Sequence, residues 1–244
     1  MLKIEKDCIK IIWDYGGNMK LRMPFIVMLI LYLVLAIAAH QVQYFAADYR
    51  ITQTVQAIDV TGFYSLMVFL SDLGSGWIPF LITGAASIAL ILKGQRLAGI
   101  VCAVGVGLAA AFNSLMKIVI ARPRPSADLV RIIDEVQHKS FPSGHTIFYV
   151  TFFGFLIFLS YIFILQQRLR WLVIAMLGLM ILLIGVSRIF AGAHWASDVI
   201  GGYLAGGLWL MLMLEAYRRL QARKQLHNAA KSNDGWQANL PQDN

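Results

Sequence analysis

The chain has 244 residues, of which 59% are hydrophobic and 14% charged, with a formal net charge of +8. A soluble domain carries about a quarter charged residues, so this composition excludes an ordinary soluble globular protein. The basic residues bracket apolar segments, which assigns the positive excess to membrane topology and not to nucleic acid.

In chain order, a basic N-terminal arm over 1–23 precedes six apolar stretches. Their lengths predict spans at about 24–40, 64–92, 97–120, 145–165, 171–187 and 196–215. Asp72 and Gly74 interrupt the second, so its membrane part is best placed at 76–92. The alternative is a short interfacial helix over 62–70 followed by a span from Trp77. The first stretch also resembles a secretory signal, with Ala36-Ile37-Ala38 as a small-residue cleavage site. An uncleaved first helix is expected, because five spans follow and it balances the topology. A polar tail over 216–244 is predicted to be disordered after its first turns. The fold expected is therefore all-α, a six-transmembrane-helix bundle over 24–215. Cys8 and Cys102 suggest neither a disulfide nor a metal site.

Lys and Arg set the orientation. With the N-terminus in the cytoplasm, fourteen of the 21 Lys and Arg residues fall on the inside and seven outside. Both termini are thus expected to be cytoplasmic, in a multi-pass cell (inner) membrane protein. Six of the seven outside charges lie in 117–139 and at Arg188, where orientation alone selects against them. They need another reason.

Three polar clusters share that outer face. The first runs from Lys117 to Arg122-Pro-Arg124-Pro125. Each proline biases the arginine before it toward extended backbone, so both arginines could approach one anion. The second is Ser140-Phe-Pro-Ser143-Gly144-His145-Thr146, read as a helix start whose free N–H groups and dipole favour an anion. The third is Ser187-Arg188 with His194 and Asp198. Four residues apart on a helix beginning near Ala193, the carboxylate could accept from one imidazole nitrogen and leave the other free to attack. Arg188 offers a planar fork for phosphate oxygens. Together these groups are equipment for phosphoryl transfer: cations and N–H groups for the oxygens, one nucleophile and one acid. No His, Cys or Asp spacing calls for a metal, and there is no glycine-rich nucleotide loop.

At these residues the sequence resembles the type-2 phosphatidic acid phosphatase superfamily. Lys117…Arg124-Pro125, Pro142-Ser-Gly-His145 and Ser187-Arg188…His194…Asp198 keep every spacing of its three-part signature. The resemblance implies an integral-membrane, metal-independent phosphatase without cofactor, its catalytic loops facing outside or the periplasm. His194 would attack phosphorus, Asp198 would orient its imidazole, and His145 would protonate the leaving oxygen. Lys117, Arg124, Ser143, Gly144 and Arg188 would bind the phosphoryl oxygens. Arg122, outside the signature, is expected to contact substrate or headgroup. His138 is expected to be a surface residue.

A site at the water's edge without a soluble domain points to a membrane lipid substrate. Phosphatidic acid, phosphatidylglycerophosphate and undecaprenyl diphosphate all fit. The alternatives are a lipid phosphotransferase using the same histidine and a non-catalytic phosphate or lipid transporter, which has no need of the His194–Asp198 pair. Gly202 and Gly206 form a small-residue spacing expected to serve packing within the bundle, which leaves oligomeric state open.

Overall fold

The structure is a computed structural model describing residues 22–134 and 139–237. The arm up to residue 21, His138 and the last seven residues lie outside the described residues. Among those described, eight α-helices and no strands are present: α1 Arg22–Gln41, α2 Ala46–Gln56, α3 Phe63–Leu73, α4 Ile78–Leu92, α5 Arg96–Ile120, α6 Gly144–Phe163, α7 Gln167–Phe190 and α8 Ala196–Gln237.

Five helices are each long and apolar enough to cross a membrane: α1, α5, α6, α7 and α8. The sixth expected span is the pair α3 and α4, bent by 67° at its break. The chain therefore does not form one helix over 64–92. The sequence Gly74-Ser-Gly-Trp77 parts the two, with Gly76 at φ +56° turning the backbone, and Pro79 stands in the first turn of α4. Proline is tolerated there because a helix's first N–H groups have no partner to lose. The protein is a multi-pass membrane protein, and large apolar side chains such as Trp77, Leu81 and Ile118 lie on its outer surface, the arrangement a lipid-facing bundle requires.

At the centre, α6 packs against both α7 and α8. Tyr149, Phe152, Phe153 and Phe155 of α6 form one core cluster with residues of α3, α5 and α7. A second cluster joins α1, α5 and α8 around Phe141 and Ile147. Gly202 and Gly206 let α8 approach α6: a Cβ on Gly202 would stand 2.7 Å from Cβ of Thr146, and one on Gly206 2.8 Å from Cβ of Val150. The small-residue spacing thus serves packing inside the bundle.

Two segments differ from the sequence-based expectation. No apolar run marks α2, whose turns are polar and which is held by contacts remote in sequence. The last helix continues to Gln237, where the sequence predicts a span ending near 215 and a tail disordered after its first turns. Glu215 explains the first added turn, since it accepts from Nε of Arg219 at 2.6 Å and pairs with Arg218 at 3.9 Å. Ala, Leu, Gln, Arg and Lys, good helix formers, carry the helix further.

Antiparallel alternation brings the C-terminal ends of α5 and α7 to the same end as the N-terminal ends of α6 and α8. The α3–α4 break joins them there, as its hydrogen bond to His145 records. Every motif of the sequence analysis lies at this one end.

Candidate active site

The site is built on helix ends. Lys117 stands in the last turn of α5, His145 and Asp198 in the first turns of α6 and α8, and Arg188 in the last turn of α7. The chain between α7 and α8 turns at Gly192, where φ is +67° and a Cβ would collide with the carbonyl oxygen of Arg131. Only glycine fits such a turn without strain.

His194 lies two residues before α8, not on it, so the pairing with Asp198 is not the helix-face contact expected from the spacing. Asp198 Oδ2 instead accepts from the backbone N–H of Trp195 at 2.9 Å, satisfying one orphan donor of the helix start. Its Oδ2 is 3.7 Å from His194 Nδ1, too long for a hydrogen bond. Ser140 bridges the gap. Its Oγ–H donates to Asp198 Oδ2 at 2.5 Å, and its oxygen lies 3.3 Å from His194 Nδ1. With the serine proton committed to the carboxylate, its lone pair accepts from Nδ1–H.

That arrangement fixes the tautomer. Nε2 of His194 lies 3.3 Å from Nη1 of Arg124, a group that can only donate, so Nε2 carries the lone pair. The ring is pushed well below the usual histidine range, first by burial and then by the cations Arg124, Lys117 and Arg188. Hence it is neutral at pH 7, with its lone pair facing positive charge.

Backbone carbonyls hold two of the cations and side chains the third. Arg124 Nη1 donates to Ala193 O at 2.5 Å, and Lys117 Nζ to Lys139 O at 2.6 Å. Arg188 pairs with Asp134 at 2.9 Å and donates from Nη1 to Ser71 Oγ. An anion among these three cations gains attraction without requiring any of them to be gathered first.

His145 faces the α3–α4 break. Its Nε2 is 2.9 Å from Ser75 Oγ and 3.2 Å from Ser71 O. Ser75 donates its own proton to Ser71 O at 2.8 Å, so Nε2–H of His145 is the donor between them. Gly74 leaves room for the ring: a Cβ there would stand 2.5 Å from Cδ2 of His145. Ser143 is the N-cap residue of α6, fully buried, and its Oγ accepts from Thr146 Oγ1 at 3.0 Å. Its backbone N–H donates to Asp198 O at 3.1 Å, tying the α6 start to the α8 start. Gly144 lies against Asn113, whose Nδ2 would be 2.8 Å from an added Cβ.

One expected contact is corrected. Arg122 does not reach outward to a headgroup and does not share an anion with Arg124. It is 1% exposed and ion-paired to Asp198 at 2.6 Å and to Asp48 at 3.0 Å. Ala121, at φ +52°, ends α5 and turns the chain immediately before Arg122. Two buried carboxylates then draw the guanidinium inward.

Sequence reasoning missed Ser71, Ser75, Asp134 and Asp48, and left Ser140 without a role. The polar break at Ser71–Ser75 within an apolar run was the available signal for the first two. Among the described residues no cluster of three or more His, Cys, Asp or Glu side chains is placed to hold a metal ion.

The sequence model of the PAP2 superfamily matches residues 98–222, about half the chain and all three clusters. The chain belongs to the PAP2 superfamily. It is 27% identical over 197 residues to an undecaprenyl-diphosphatase of Sulfolobus acidocaldarius, covering 77% of this chain and 87% of that one. It is 27% identical over 188 residues to phosphatidylglycerophosphatase B of Bacillus subtilis, covering 75% and 89%. Among solved structures it resembles a transmembrane PAP2-type phosphatidylglycerolphosphate phosphatase from Bacillus subtilis, with TM-score 0.65, 25% identity, and coverage of 78% of this chain and 93% of that one. The PAP2 member described here thus shares with that structure both the helical membrane fold and most of its length.

The depressed proton affinity of His194 has a kinetic consequence. If His194 is the attacking group, only its neutral ring can attack, and a lowered pKa keeps it neutral as pH falls. The acid limb of kcat/KM, which reports the free enzyme, should therefore lie below the ordinary histidine value of 6.5. A pH–rate profile with its acid limb at or above 6.5 would contradict the environment described for this ring.

Proposed function

We propose that this membrane lipid phosphatase of the PAP2 superfamily hydrolyses a lipid phosphate monoester or a prenyl diphosphate through a phosphohistidine at His194. The observation carrying the proposal is the fixed tautomer of His194, with Nδ1–H bound toward Ser140 and the Nε2 lone pair among three cations.

In the first step Nε2 attacks phosphorus, an N–P bond forms and the bond to the leaving oxygen breaks. The negative phosphate favours the protonated form of His145, which gives its Nδ1 proton to that oxygen while its Nε2–H is held by Ser71 O and Ser75 Oγ. Lys117, Arg124 and Arg188, with the buried Ser143 and the Gly144 N–H at the α6 N-terminus, bind the phosphoryl oxygens. The bridge through Ser140 to the Asp198 carboxylate stabilises the positive ring that develops. In the second step water attacks phosphorus, His145 takes its proton, the N–P bond breaks and inorganic phosphate leaves. No step requires a metal ion.

Phosphatidic acid, phosphatidylglycerophosphate and undecaprenyl diphosphate each bring a phosphate on a lipid tail to a site at the end of an apolar bundle. The relatives act on two of these by name. We place the site on the outer or periplasmic face and both termini in the cytoplasm, on the asymmetry of Lys and Arg.

Purified in detergent and offered a panel of these lipids with EDTA present, the protein should release inorganic phosphate. His194→Ala should lower the rate by about a thousandfold or more, as loss of a covalent nucleophile does elsewhere. A metal requirement, or a near wild-type rate in the variant, would overturn the mechanism. Label transferred to a lipid acceptor, with no phosphate released, would make the protein a transferase.

For orientation, Asp128→Cys in a background lacking Cys8 places a thiol at an exposed position of the 121–134 loop. Cys102 is fully buried and should stay silent. The new thiol should react with an impermeant maleimide on intact cells; reaction only after permeabilisation would reverse the topology.

A further inference from the structure

We infer that Arg122, just after α5, and Asp48, on α2, neither of them in the three-part signature, act as a buried pair of positioning residues that tune the His194–Asp198 couple. The inference rests on the phosphohistidine reading and adds the part of the chain that governs its nucleophile.

The geometry joins elements far apart in sequence. Arg122 donates from Nη1 to Asp198 Oδ1 at 2.6 Å and to Ser197 Oγ at 2.7 Å, from Nη2 to Asp48 Oδ2 at 3.0 Å, and from Nε to Gln43 O at 3.0 Å. Asp48 accepts from Ser197 N at 2.8 Å, from Ser197 Oγ at 2.7 Å, and from Phe45 N at 3.0 Å, where it also caps α2. Arg122, Asp48 and Asp198 are 1%, 2% and 0% exposed. A buried charge at this depth is stable only when paired, and here one guanidinium serves two carboxylates. The entry into α2 is seated on the same turn by Tyr44, stacked on Trp195 with ring centroids 5.0 Å apart.

This sharing has a consequence for the reaction. If Arg122 served Asp198 alone, it would neutralise the carboxylate that must stabilise a positive His194 ring. Asp48 takes up part of the guanidinium's charge, so less of it offsets the Asp198 carboxylate, which keeps its pull on the ring through Ser140. The other titratable groups facing His194 are Arg124, Lys117, Arg188 and His145, and Arg188 is itself paired with Asp134. Lys117 and Arg124 are held by backbone carbonyls and Arg188 by Asp134 and Ser71, so the pair can be changed while these anchors of the phosphate-binding cations stay in place.

The test compares pH–rate profiles of the full-length protein in detergent with a short-chain phosphatidic acid as substrate. Asp48→Asn leaves the guanidinium uncompensated and should move the acid limb of kcat/KM down by about half a pH unit. Arg122→Gln removes the cation and should move the limb up by about as much. In both variants kcat should fall about tenfold while KM stays within about twofold, because neither side chain touches phosphate. Arg122→Lys, which keeps the charge, should hold the limb near its wild-type position. Limbs that stay put, or that move in the same direction, would reduce the pair to a structural role and overturn the inference. So would a change confined to KM. Where Arg122→Gln does not fold, Asp48→Asn against Arg122→Lys decides by the same criterion. His194→Ala is run in parallel: if that variant remains active, the phosphohistidine reading fails; if it is inactive while the limbs do not shift, only the present inference fails.

Discussion

A carboxylate removed completely from water must have its charge answered by hydrogen bonds and cations, and at Asp198 those answers come from every part of the site. Oδ1 accepts from Arg122, and Oδ2 from Ser140 and the Trp195 N–H. The residue's own carbonyl accepts from Ser143 N–H at the start of α6. The stretch after α5, the start of α6 and the α7–α8 turn are therefore tied to one residue. Breaking such a buried ion pair by removing one partner costs about 3–5 kcal/mol. The same connections align His194 and bring the α6 N-terminus toward it, so stability and chemistry share their contacts.

The bundle supplies what these contacts need. Alternating spans deliver four helix ends to one place, and the central α6 carries the most buried face. Close approach of α8 to α6 through Gly202 and Gly206 sets the distance between the helix starts that bear His145 and Asp198. The α3–α4 break adds Ser71 and Ser75, which hold Arg188 and His145 respectively. A straight span would satisfy its backbone internally and offer neither a free carbonyl nor a hydroxyl at that level.

Much of this was legible in the sequence, because the signals were chemical and local. Apolar length marked the spans, and the polar clusters stood out against them. The spacings from Lys117 to Arg124, around His145, and from Arg188 to Asp198 brought together residues the structure also gathers. What stayed hidden depends on partners remote in the chain. Helix α2 has no apolar stripe to announce it, and Asp48 has meaning only beside Arg122 and Ser197. Arg122 read as an outward cation because its two carboxylates lie 74 and 76 residues away. The His194–Asp198 spacing suggested direct contact on a helix, but α8 begins after His194 and Ser140 fills the gap. Beyond Glu215 a polar composition concealed a helix that its ion pairs and helix-forming residues continue.

The central claim is that His194 Nε2 becomes covalently bonded to phosphorus. The direct measurement is to mix the purified protein with a labelled lipid phosphate, quench within milliseconds under alkaline conditions that preserve phosphohistidine, and map the modified residue by mass spectrometry. The account predicts a transient, acid-labile phosphoryl group on His194 that forms and decays at rates compatible with turnover. Turnover without a phosphoenzyme, or label on a residue other than His194, would contradict it.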